Sequence, residues 1–326
     1  MRHMRALSAL AAAAAAAIAL AGCSAGSGSA APASSAASGA ATTTVRMALN
    51  NTSDSLPIVV AQKEGYFAAN HLNVTTTTLA DITVVPSLLG NQYDVGFTVA
   101  PILIRAASAG VKAVMISGND GDSSQYQGVQ VYVRDGISSI ADLKGKRIGS
   151  PTLTGNLNTA TKAWLAKHGV DPASVQFVQV PTPNMADQLK AGQIDAAEMI
   201  YPFISTAKAD GLTSLGDPER ALTSGYLGGT YWAASETWAK ANPAAVEGFR
   251  AALKSADEWI AKNKEKAYQV VADYTKVPIA QAKVSPIVEY TTTVTPGDLK
   301  IWGDAMKKFA GFTGTVDYSS LVYTGK

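Results

Sequence analysis

The residues that most often carry enzymatic chemistry are scarce in this chain. Cys23 is the single cysteine among 326 residues, and only two of the three histidines, His71 and His168, lie beyond the first 22 residues. Each of these histidines stands beside a predicted helix end, where a surface or capping role is expected. No Cys or His spacing suits a metal, and no glycine-rich loop with Lys and Ser or Thr suits a nucleotide phosphate. The sequence therefore predicts a protein that is not an enzyme and that has no metal or cofactor.

Small polar residues are concentrated instead where predicted strands end. Five such segments are 50–55, 98–100, 117–127, 150–156 and 198–201. They contain no Lys or Arg, but they contain the acids Asp54, Asp120, Asp122 and Glu198. In open α/β sheets ligands bind at the carboxyl ends of strands, where the N–H groups of helix N-termini are free. A ligand held by guanidinium groups is thus disfavoured, and a neutral, zwitterionic or heterocyclic solute is expected.

Strand and helix patterns alternate in the elements that carry these segments. A strand at 45–49 precedes a helix that starts near Leu56 and ends at Gly65, and Pro57 suits the first turn of that helix. The same order returns as a strand at 147–149 and a helix that runs through Trp164 to Gly169. Alternation of this kind predicts a parallel-rich sheet covered by helices.

A second pair of segments repeats at an offset of 101 residues. Leu88, Gln92, Asp94 and Pro101 recur as Leu189, Gln193, Asp195 and Pro202. Each copy has the pattern of a helix, a stop, a buried strand and a further helix. Asn91 in the first copy and Gly192 in the second are the expected helix-ending residues, because both types tolerate a left-handed conformation. The repeat predicts two similar α/β lobes.

The chain becomes helical beyond Trp232. Asn242 and Pro243 are expected to cap and open a helix, and Thr295, Pro296 and Asp298 to open another. The first of these helices has one apolar stripe, formed by Val246, Phe249, Leu253, Ala256 and Ile260. This helical tail is expected to pack on a lobe.

The N-terminus has the pattern of a secretory signal. In residues 1–22, Arg2 and Arg5 precede an apolar stretch too short for a membrane span. The following sequence, Leu20-Ala21-Gly22-Cys23, resembles the bacterial lipobox, in which the cysteine becomes the lipid-modified first residue. Cleavage after Ala21 is the alternative. Residues 23–44 are nearly all Ser, Ala, Gly and Thr, and are predicted to form a flexible tether.

The charge balance excludes a nucleic-acid partner. Without Arg2 and Arg5, the 27 basic residues fall to 25, which equals the 25 acidic residues. The longest basic cluster is the short 144–147 segment, so the chain lacks the electrostatic footprint of a protein that binds nucleic acid or an anionic membrane surface. Contact with a membrane is expected only through the N-terminal lipid.

Five segments, in order, resemble the nitrate, sulfonate and taurine family of periplasmic substrate-binding proteins, which includes binders of thiamine-pyrimidine precursors. The segments are "SLPIVVAQKEGYF" at 55–67, "GNQYDVGFTVAP" at 90–101, "ISSIADLKGKRIGSP" at 137–151, "LKAGQIDAAEMIYPF" at 189–203 and "KANPAAVEGFRAALKSADEWI" at 240–260. The resemblance that they carry extends over nearly all of residues 45–312. The resemblance implies a type II periplasmic-binding-protein fold, with two α/β lobes joined by two crossover strands near 129–133 and 230–234.

The resemblance also implies partners and a division of the chain. Lobe 1 would comprise residues 45–131 and 232–326, and lobe 2 residues 132–231. A monomer, anchored outside the cytoplasm by lipid at Cys23, would deliver a small solute to an ABC importer permease with its ATPase. The solute would be a taurine- or sulfonate-like zwitterion, or a pyrimidine-like heterocycle stacked on Tyr201 or Trp232.

The cleft positions of that family fall on the polar segments described above. The residues expected to bind ligand are Asn51, Ser53, Asp54, Thr98, Ala100, Asn119, Ser150, Thr154, Asn156, Glu198 and Tyr201, to which Tyr231 in the second crossover is added. Where this family often has an aromatic residue before the acid or amide and the proline of its second G-x-x-D segment, this chain has Met199, Ile200 and Tyr201. The departure leaves the ligand class open.

Each of these assignments has an alternative. Ser53, Asp54 and Thr154 suit helix caps, and Tyr226, Tyr231 and Trp232 suit the filling of a hinge. Glu198 is expected to meet a ligand N–H, a cation or a protein donor, unless it is solvated at the strand end. For the whole protein, the alternatives are an enzyme of the same fold that processes a pyrimidine-like substrate, and a surface scaffold or adhesin.

Overall fold

The computed structural model describes residues 41–288 and 290–325. The predicted signal peptide, Cys23 and the tether as far as residue 40 lie outside the described residues. The first strand begins at Thr43, so the last two residues of the predicted tether, Thr43 and Thr44, are part of a sheet. Within the described ranges, every helix is too short or too polar to cross a membrane.

The strands of the described chain form two five-stranded sheets. They are Thr43–Leu49 (β1), Leu72–Thr78 (β2), Val95–Val99 (β3), Ala113–Asp122 (β4), Val129–Val133 (β5), Arg147–Ser150 (β6), Gln176–Gln179 (β7), Ala196–Ile200 (β8), Thr213–Gly216 (β9) and Leu227–Ser235 (β10). The strand order is β2-β1-β3-β10-β4 in lobe 1 and β7-β6-β8-β5-β9 in lobe 2. In each sheet one strand, β10 or β5, runs antiparallel to its neighbours. The two lobes therefore have the same topology, as the repeat predicts.

Helices cover both sheets. They are Leu56–Lys63 (α1), Tyr66–Ala69 (α2), Val85–Leu88 (α3), Ala100–Ser108 (α4), Asn156–Lys167 (α5), Met185–Lys190 (α6), Phe203–Ala209 (α7), Glu236–Ala241 (α8), Pro243–Lys262 (α9), Lys264–Thr275 (α10), Ile279–Lys283 (α11) and Pro296–Phe309 (α12). Helix α1 is followed by Gly65 and helix α5 by Gly169, both with positive φ, so these two helices end as the sequence predicts.

The chain crosses between the lobes twice. It leaves lobe 1 after β4 and enters lobe 2 with β5, and it leaves β9 to re-enter lobe 1 with β10. The change of sheet thus comes before Val129 and before Leu227, earlier than the predicted boundaries at 132 and 232. The reason is that β5 and β10 are paired from their first residues with strands of the lobe they enter.

The internal repeat has a shared polar contact. Asp94 accepts hydrogen bonds from the backbone N–H and the Nε of Arg46, at 2.8 and 3.0 Å. At the equivalent place in lobe 2, Asp195 accepts from the backbone N–H of Arg147 at 2.8 Å and from Nε of Arg134 at 2.8 Å. Each aspartate therefore ties the start of a central strand to the loop before the next strand.

The residue with a left-handed conformation before β3 differs from the predicted one. Gly90, with φ 81°, takes the left-handed conformation that the sequence assigns to Asn91, whereas Gly192 takes it in lobe 2 as predicted. A glycine adopts this conformation without the steric cost of a Cβ atom, so the chain uses the glycine one residue earlier.

The helical tail packs on lobe 1. The predicted stripe of α9 is buried and belongs to one apolar core with strands β1 and β3. Thr295 and Asp298 form a capping box at the start of α12, as predicted. Asn242 precedes α9 but its side chain does not cap that helix; its Nδ2 donates instead to the carbonyl of Trp238, in the preceding helix α8, at 2.9 Å. Helix α5 of lobe 2 contributes Ala160 to a core with Leu103 and Trp302 of lobe 1.

Candidate functional site

A cavity of about 240 Å³ lies between the two lobes. It is built by the segments that follow the carboxyl ends of parallel strands and by the starts of the antiparallel strands β5 and β10, which meet at the same edge. Its lining residues are Asn50, Asn51, Thr52, Ser53, Asp54, Leu79, Ala80, Ile82, Phe97, Val99, Asp120, Gly121, Asp122, Tyr126, Gly128, Val129, Pro151, Thr152, Asn156, Leu157, Pro181, Thr182, Pro183, Ile200, Tyr201, Glu219, Gly229 and Thr230. This is the position where open α/β sheets bind ligands.

The structure brings together five of the residues that the sequence analysis selected. Asn51, Ser53 and Asp54 line the cavity from lobe 1, and Asn156 and Tyr201 from lobe 2. The other selected residues are absent from the lining. Those that are buried beside or behind it are Thr98, Ala100, Asn119, Ser150, Glu198 and Tyr231, whereas Thr154 is exposed on the surface.

Asn119 supports the cavity wall from behind. Its Nδ2 donates to the carbonyl of Asp54 at 2.8 Å and to Oγ1 of Thr230 at 2.9 Å, and its Oδ1 accepts from Nε1 of Trp232 at 3.0 Å. These bonds join the first loop, strand β4 and strand β10. Asn119 is thus a positioning residue in this arrangement.

Glu198 lies inside strand β8 and is fully buried, so it is not solvated at a strand end. The sequence predicts that Glu198 meets a ligand N–H, a cation or a protein donor. The structure provides a protein donor, because Oε2 of Glu198 lies 2.5 Å from Oγ of Ser150. Oγ of Ser150 also lies 2.8 Å from the carbonyl of Thr152, which lines the cavity. Burial raises the pKa of Glu198 to about 7, against the opposing effect of its hydrogen bond with Ser150.

Helix capping does not account for the polar residues of the first loop. Thr52, not Ser53 or Asp54, caps the short 3-10 helix Ser53–Ser55 with its side chain. In lobe 2 the residue before α5 is Gly155, so Thr154 does not cap that helix either. The side chains of Ser53 and Asp54 are therefore available to the cavity.

The aromatic residues of the second crossover fill the hinge. Tyr231 is buried and its hydroxyl donates to the carbonyl of Gly228 at 3.0 Å. Trp232 packs edge-on against Phe97. Tyr226 is 47% exposed and lies outside the cavity lining.

The lobe 1 side of the cavity carries two neighbouring acids. Oδ2 of Asp54 accepts from Oγ1 of Thr52 at 2.8 Å and from Nδ2 of Asn50 at 3.1 Å. Oδ1 of Asp120 accepts from Oγ1 of Thr230 at 2.6 Å. Burial raises the pKa of Asp54, and burial together with repulsion from Asp54 raises the pKa of Asp120 well above its usual range.

A second group of acids, which we call the hinge acids, consists of Asp122, Asp217 and Glu219. Asp122 ends β4, and the other two lie between β9 and β10, so the group stands where both crossovers begin. Burial and the neighbouring charge of Asp217 raise the pKa of Asp122 to about 7. Burial, followed by repulsion from Asp122 and Asp217, raises the pKa of Glu219 well above its usual range. Asp122 and Glu219 line the cavity.

Several lining residues were not selected from the sequence. Asp120 and Asp122 fall in the polar segment 117–127 that the sequence predicts as a loop, but β4 runs through Asp122 because its last residues pair with β10. Glu219 follows Asp217-Pro218, a local pattern that marks a helix start and gives no sign of a cavity. Tyr126 lies between β4 and β5, and its place in the lining depends likewise on the path of the first crossover.

The lining combines acids with apolar and aromatic walls. Among the described residues that line the cavity there is no Lys, Arg or His, whereas Asp54, Asp120, Asp122 and Glu219 are all present. Phe97, Tyr126 and Tyr201 provide aromatic surface. In residues 41–288 and 290–325, no group of three or more His, Cys, Asp or Glu side chains is placed to hold a metal ion.

Known proteins match this chain in sequence and in fold. A family model described as NMT1/THI5 like matches residues 52–267. A Brucella abortus (strain 2308) protein named as a binding protein is 27% identical over 226 residues, which cover 67% of each chain. The alkanesulfonate-binding protein SsuA from Xanthomonas axonopodis pv. citri superposes with a TM-score of 0.75 at 18% identity, over 87% of this chain and 99% of that one.

A further solved structure gives the same result. The nitrate-binding protein NrtA from Synechocystis PCC 6803 has a TM-score of 0.74 at 14% identity, over 87% of this chain and 86% of its own. The resemblance found in the sequence segments is therefore confirmed. Because the family model spans more than half of the chain, the protein belongs to the NMT1/THI5-like family, and its fold is that of the periplasmic binding proteins.

Proposed function

We propose that this protein is an extracytoplasmic solute-binding component of an ABC importer, which captures a small polar organic solute between its lobes and presents it to the permease. The observation that carries the proposal is the cavity at the strand ends, to which both lobes contribute polar side chains. Similarity to an alkanesulfonate-binding protein and a nitrate-binding protein supports it. The lipid at Cys23 would hold the protein at the outer face of the membrane.

The lining favours one of the two solute types that the sequence left open. A sulfonate needs donors, and such groups are most often held by Arg or Lys. The described lining offers neither, and it presents four carboxyl groups and three aromatic rings. A nitrogen heterocycle or another solute with N–H donors fits these groups better than a sulfonate does. Asn51, Ser53, Asp54, Asn156 and Tyr201 are the ligand contacts we propose from the original selection.

Direct contacts between the lobes suggest how capture would work. Oγ of Ser53 donates to the carbonyl of Tyr201 at 3.0 Å across the cavity. On the side of α7, the hydroxyls of Ser205 and Ser285 lie 3.0 Å apart. A solute that binds residues of both lobes would favour this closed arrangement over an open one, since a ligand shifts a conformational equilibrium by its difference in affinity.

A thermal-shift screen of the full chain tests the proposal. The panel contains aminopyrimidines, taurine, alkanesulfonates, nitrate, amino acids and polyamines. A solute at one hundred times its dissociation constant adds about 2.7 kcal/mol to the free energy of unfolding, which raises the midpoint measurably. We expect solutes with N–H donors to raise it. If no small solute raises the midpoint, and a protein partner is captured instead, the solute-binding function is wrong.

A further inference from the structure

We infer that the solute is an organic cation, and that its positively charged group binds at the hinge acids Asp122, Asp217 and Glu219. This inference rests on the proposed function, because it names the class of solute that the cavity takes. It is carried by the position of these acids at the cavity, by the contact between two buried carboxyl groups, and by the charges that surround the cavity.

The hinge acids join both crossovers and one wall of the cavity. Oδ1 of Asp122 accepts the backbone N–H of Gly128 at 3.0 Å, across the first crossover. Oε1 of Glu219 accepts from Nδ2 of Asn156 at 3.2 Å, at the start of α5 in lobe 2. Oδ1 of Asp217 accepts the backbone N–H of Glu219 at 2.7 Å. A charge bound here therefore acts on the two segments that must bend when the lobes move.

Asp122 and Asp217 place their carboxyl groups side by side. Asp122 lines the cavity and is only 5% exposed, and among the described residues its Oδ2 has no partner other than the carboxyl of Asp217, with which it can share a proton. Two buried carboxyl groups in contact cannot both ionise without a cost, and a cation bound beside them would remove that cost.

The hinge acids outnumber the cations beside them. The three hinge acids carry three negative charges when ionised, and the cation whose field opposes them is Arg220. Its Nε lies 3.2 Å from Oδ2 of Asp217, and its NH1 donates to the carbonyl of Gly225 at 2.8 Å. Arg220 is directed at Asp217 and the backbone, so Asp122 and Glu219 are left facing the cavity.

The remaining walls suit an organic ion. Asp54 and Asp120 add negative charge from lobe 1, while Phe97, Tyr126 and Tyr201 offer aromatic surface. Aromatic faces attract amidinium, guanidinium and alkylammonium groups. Burial and, after it, repulsion from neighbouring acids raise the pKa values of Asp120 and Glu219 in the ligand-free protein, and a bound cation would oppose both effects by favouring the ionised carboxylates.

Matched sets of isosteric solutes test the charge of the ligand. The full chain is titrated at pH 8 with benzamidine, benzamide and benzoate, and with choline, 3,3-dimethylbutan-1-ol and 3,3-dimethylbutanoate, next to the panel of the previous subsection. We expect the cationic member of a set to raise the melting midpoint and the neutral and anionic members to leave it unchanged. Hits among the whole panel should be cations.

Two substitutions locate the charged group. Asp122→Asn and Glu219→Gln should weaken binding of the cationic hit by about tenfold or more, because each removes a charged hydrogen-bond acceptor. Both should also raise the midpoint of the ligand-free protein, since they relieve repulsion among buried acids. The matched control is Asp304→Asn, because the exposed carboxylate of Asp304 pairs with Lys300 at 2.6 Å. This variant should change neither the affinity for the cation nor the melting midpoint.

The pH dependence of cation affinity can be measured on the wild-type protein alone. Asp120 and Asp122 on β4, Asp54 in the first loop, and Asp217 and Glu219 before β10 face the site, with Arg220 as the opposing cation. Because raised pKa values leave these acids partly protonated near neutrality, affinity for a permanent cation should rise as the pH rises from 6 to 8.

The outcomes separate the two proposals. If neutral or anionic solutes raise the midpoint and cations do not, the inference is overturned and the solute-binding function stands. If a cation binds with equal affinity to the wild type, Asp122→Asn and Glu219→Gln, the charged group does not lie at the hinge acids. If no cation binds, the inference is overturned, and if no solute of the panel binds and a protein partner is captured instead, the solute-binding function fails as well.

Discussion

At the scale of single residues, Glu198 shows how burial changes the role expected of an acid. It is fully buried in β8, and its Oε2 meets Oγ of Ser150. Oγ of Ser150 has one hydrogen and two acceptors within reach, the carbonyl of Thr152 and Glu198. When the serine donates to the carbonyl, the carboxyl of Glu198 must carry the proton of its contact with Ser150. The site therefore accommodates a protonated Glu198 behind the wall, in line with its raised pKa.

The pH dependence of stability tests that state of Glu198. Its pKa in the folded protein is raised to about 7 from 4.5, so the folded state binds the proton more tightly than the unfolded chain. The contribution of Glu198 to stability is therefore greatest at low pH and is lost as the pH rises from about 5 through 7, by roughly 3 kcal/mol. Glu198→Gln should remove this part of the loss and be more stable than the wild type at pH 8.

Denaturant unfolding of the ligand-free protein at pH 5 and pH 8 measures the effect. Asp304→Asn, an exposed acid paired with Lys300, serves as the control and should follow the wild type. The hinge acids add a loss of the same sign in all three proteins, so the comparison depends on the difference between variants. An equal pH dependence of Glu198→Gln and the wild type would show that Glu198 does not bind a proton in this range.

At the scale of elements, the repeated aspartates fix the central strands. Asp195 is only 7% exposed and bonds to the backbone of Arg147 and the side chain of Arg134, which connects the ends of β5 and β6 to β8. Although burial opposes ionisation, the hydrogen bonds from Arg147 and Arg134 hold the pKa of Asp195 below its usual range. The carboxylate is thus charged when the protein is folded.

Replacement of this aspartate should destabilise lobe 2. Asp195→Ala removes acceptors from one backbone N–H and one guanidinium group, and we expect a loss of roughly 2 kcal/mol in the free energy of unfolding. Urea unfolding at pH 7 measures it. The matched control is Asp187→Ala, an aspartate whose side chain is 83% exposed and pairs with Lys190. Equal stability of the two variants would contradict the role given to Asp195.

The sequence predicts these elements well where the signal is local. Gly65 and Gly169 mark helix ends, Thr295 and Asp298 mark a helix start, and the stripe of α9 marks a buried face. The spacing of 101 residues even places Asp94 and Asp195 in equivalent positions, although their bonding to Arg46 and Arg147 is visible only in the fold.

The cavity could be predicted only in part. Its first loop and the end of β8 follow strands that are readable in the sequence, so Asn51, Ser53, Asp54 and Tyr201 were found. Glu219 enters the cavity because the second crossover passes beside the end of β4, and that contact joins residues nearly one hundred positions apart. Local sequence patterns carry no signal for such a contact. They also do not show where a strand ends: the sequence places Glu198 at the cleft edge, whereas β8 continues to Ile200 and buries it.

At the scale of the whole molecule, two lobes of the same topology meet at an acidic cavity whose hinge carries three acids beside one arginine. The lobes touch through Ser53 and Tyr201 across the cavity and through Ser205 and Ser285 beside it. A solute bound between them would both neutralise the acids and hold these contacts closed. In the proposed transport function, a permease would recognise this closed state, which would link the chemistry of the site to transport.

The central claim is that a small solute binds between the lobes, and a crystal structure of the full chain with its highest-affinity panel solute tests it most directly. We predict density for the solute in the cavity, in contact with Asp54 of lobe 1 and Tyr201 of lobe 2, with its charged group beside Asp122 and Glu219. A solute bound elsewhere on the protein, with this cavity filled only by water, would contradict the account.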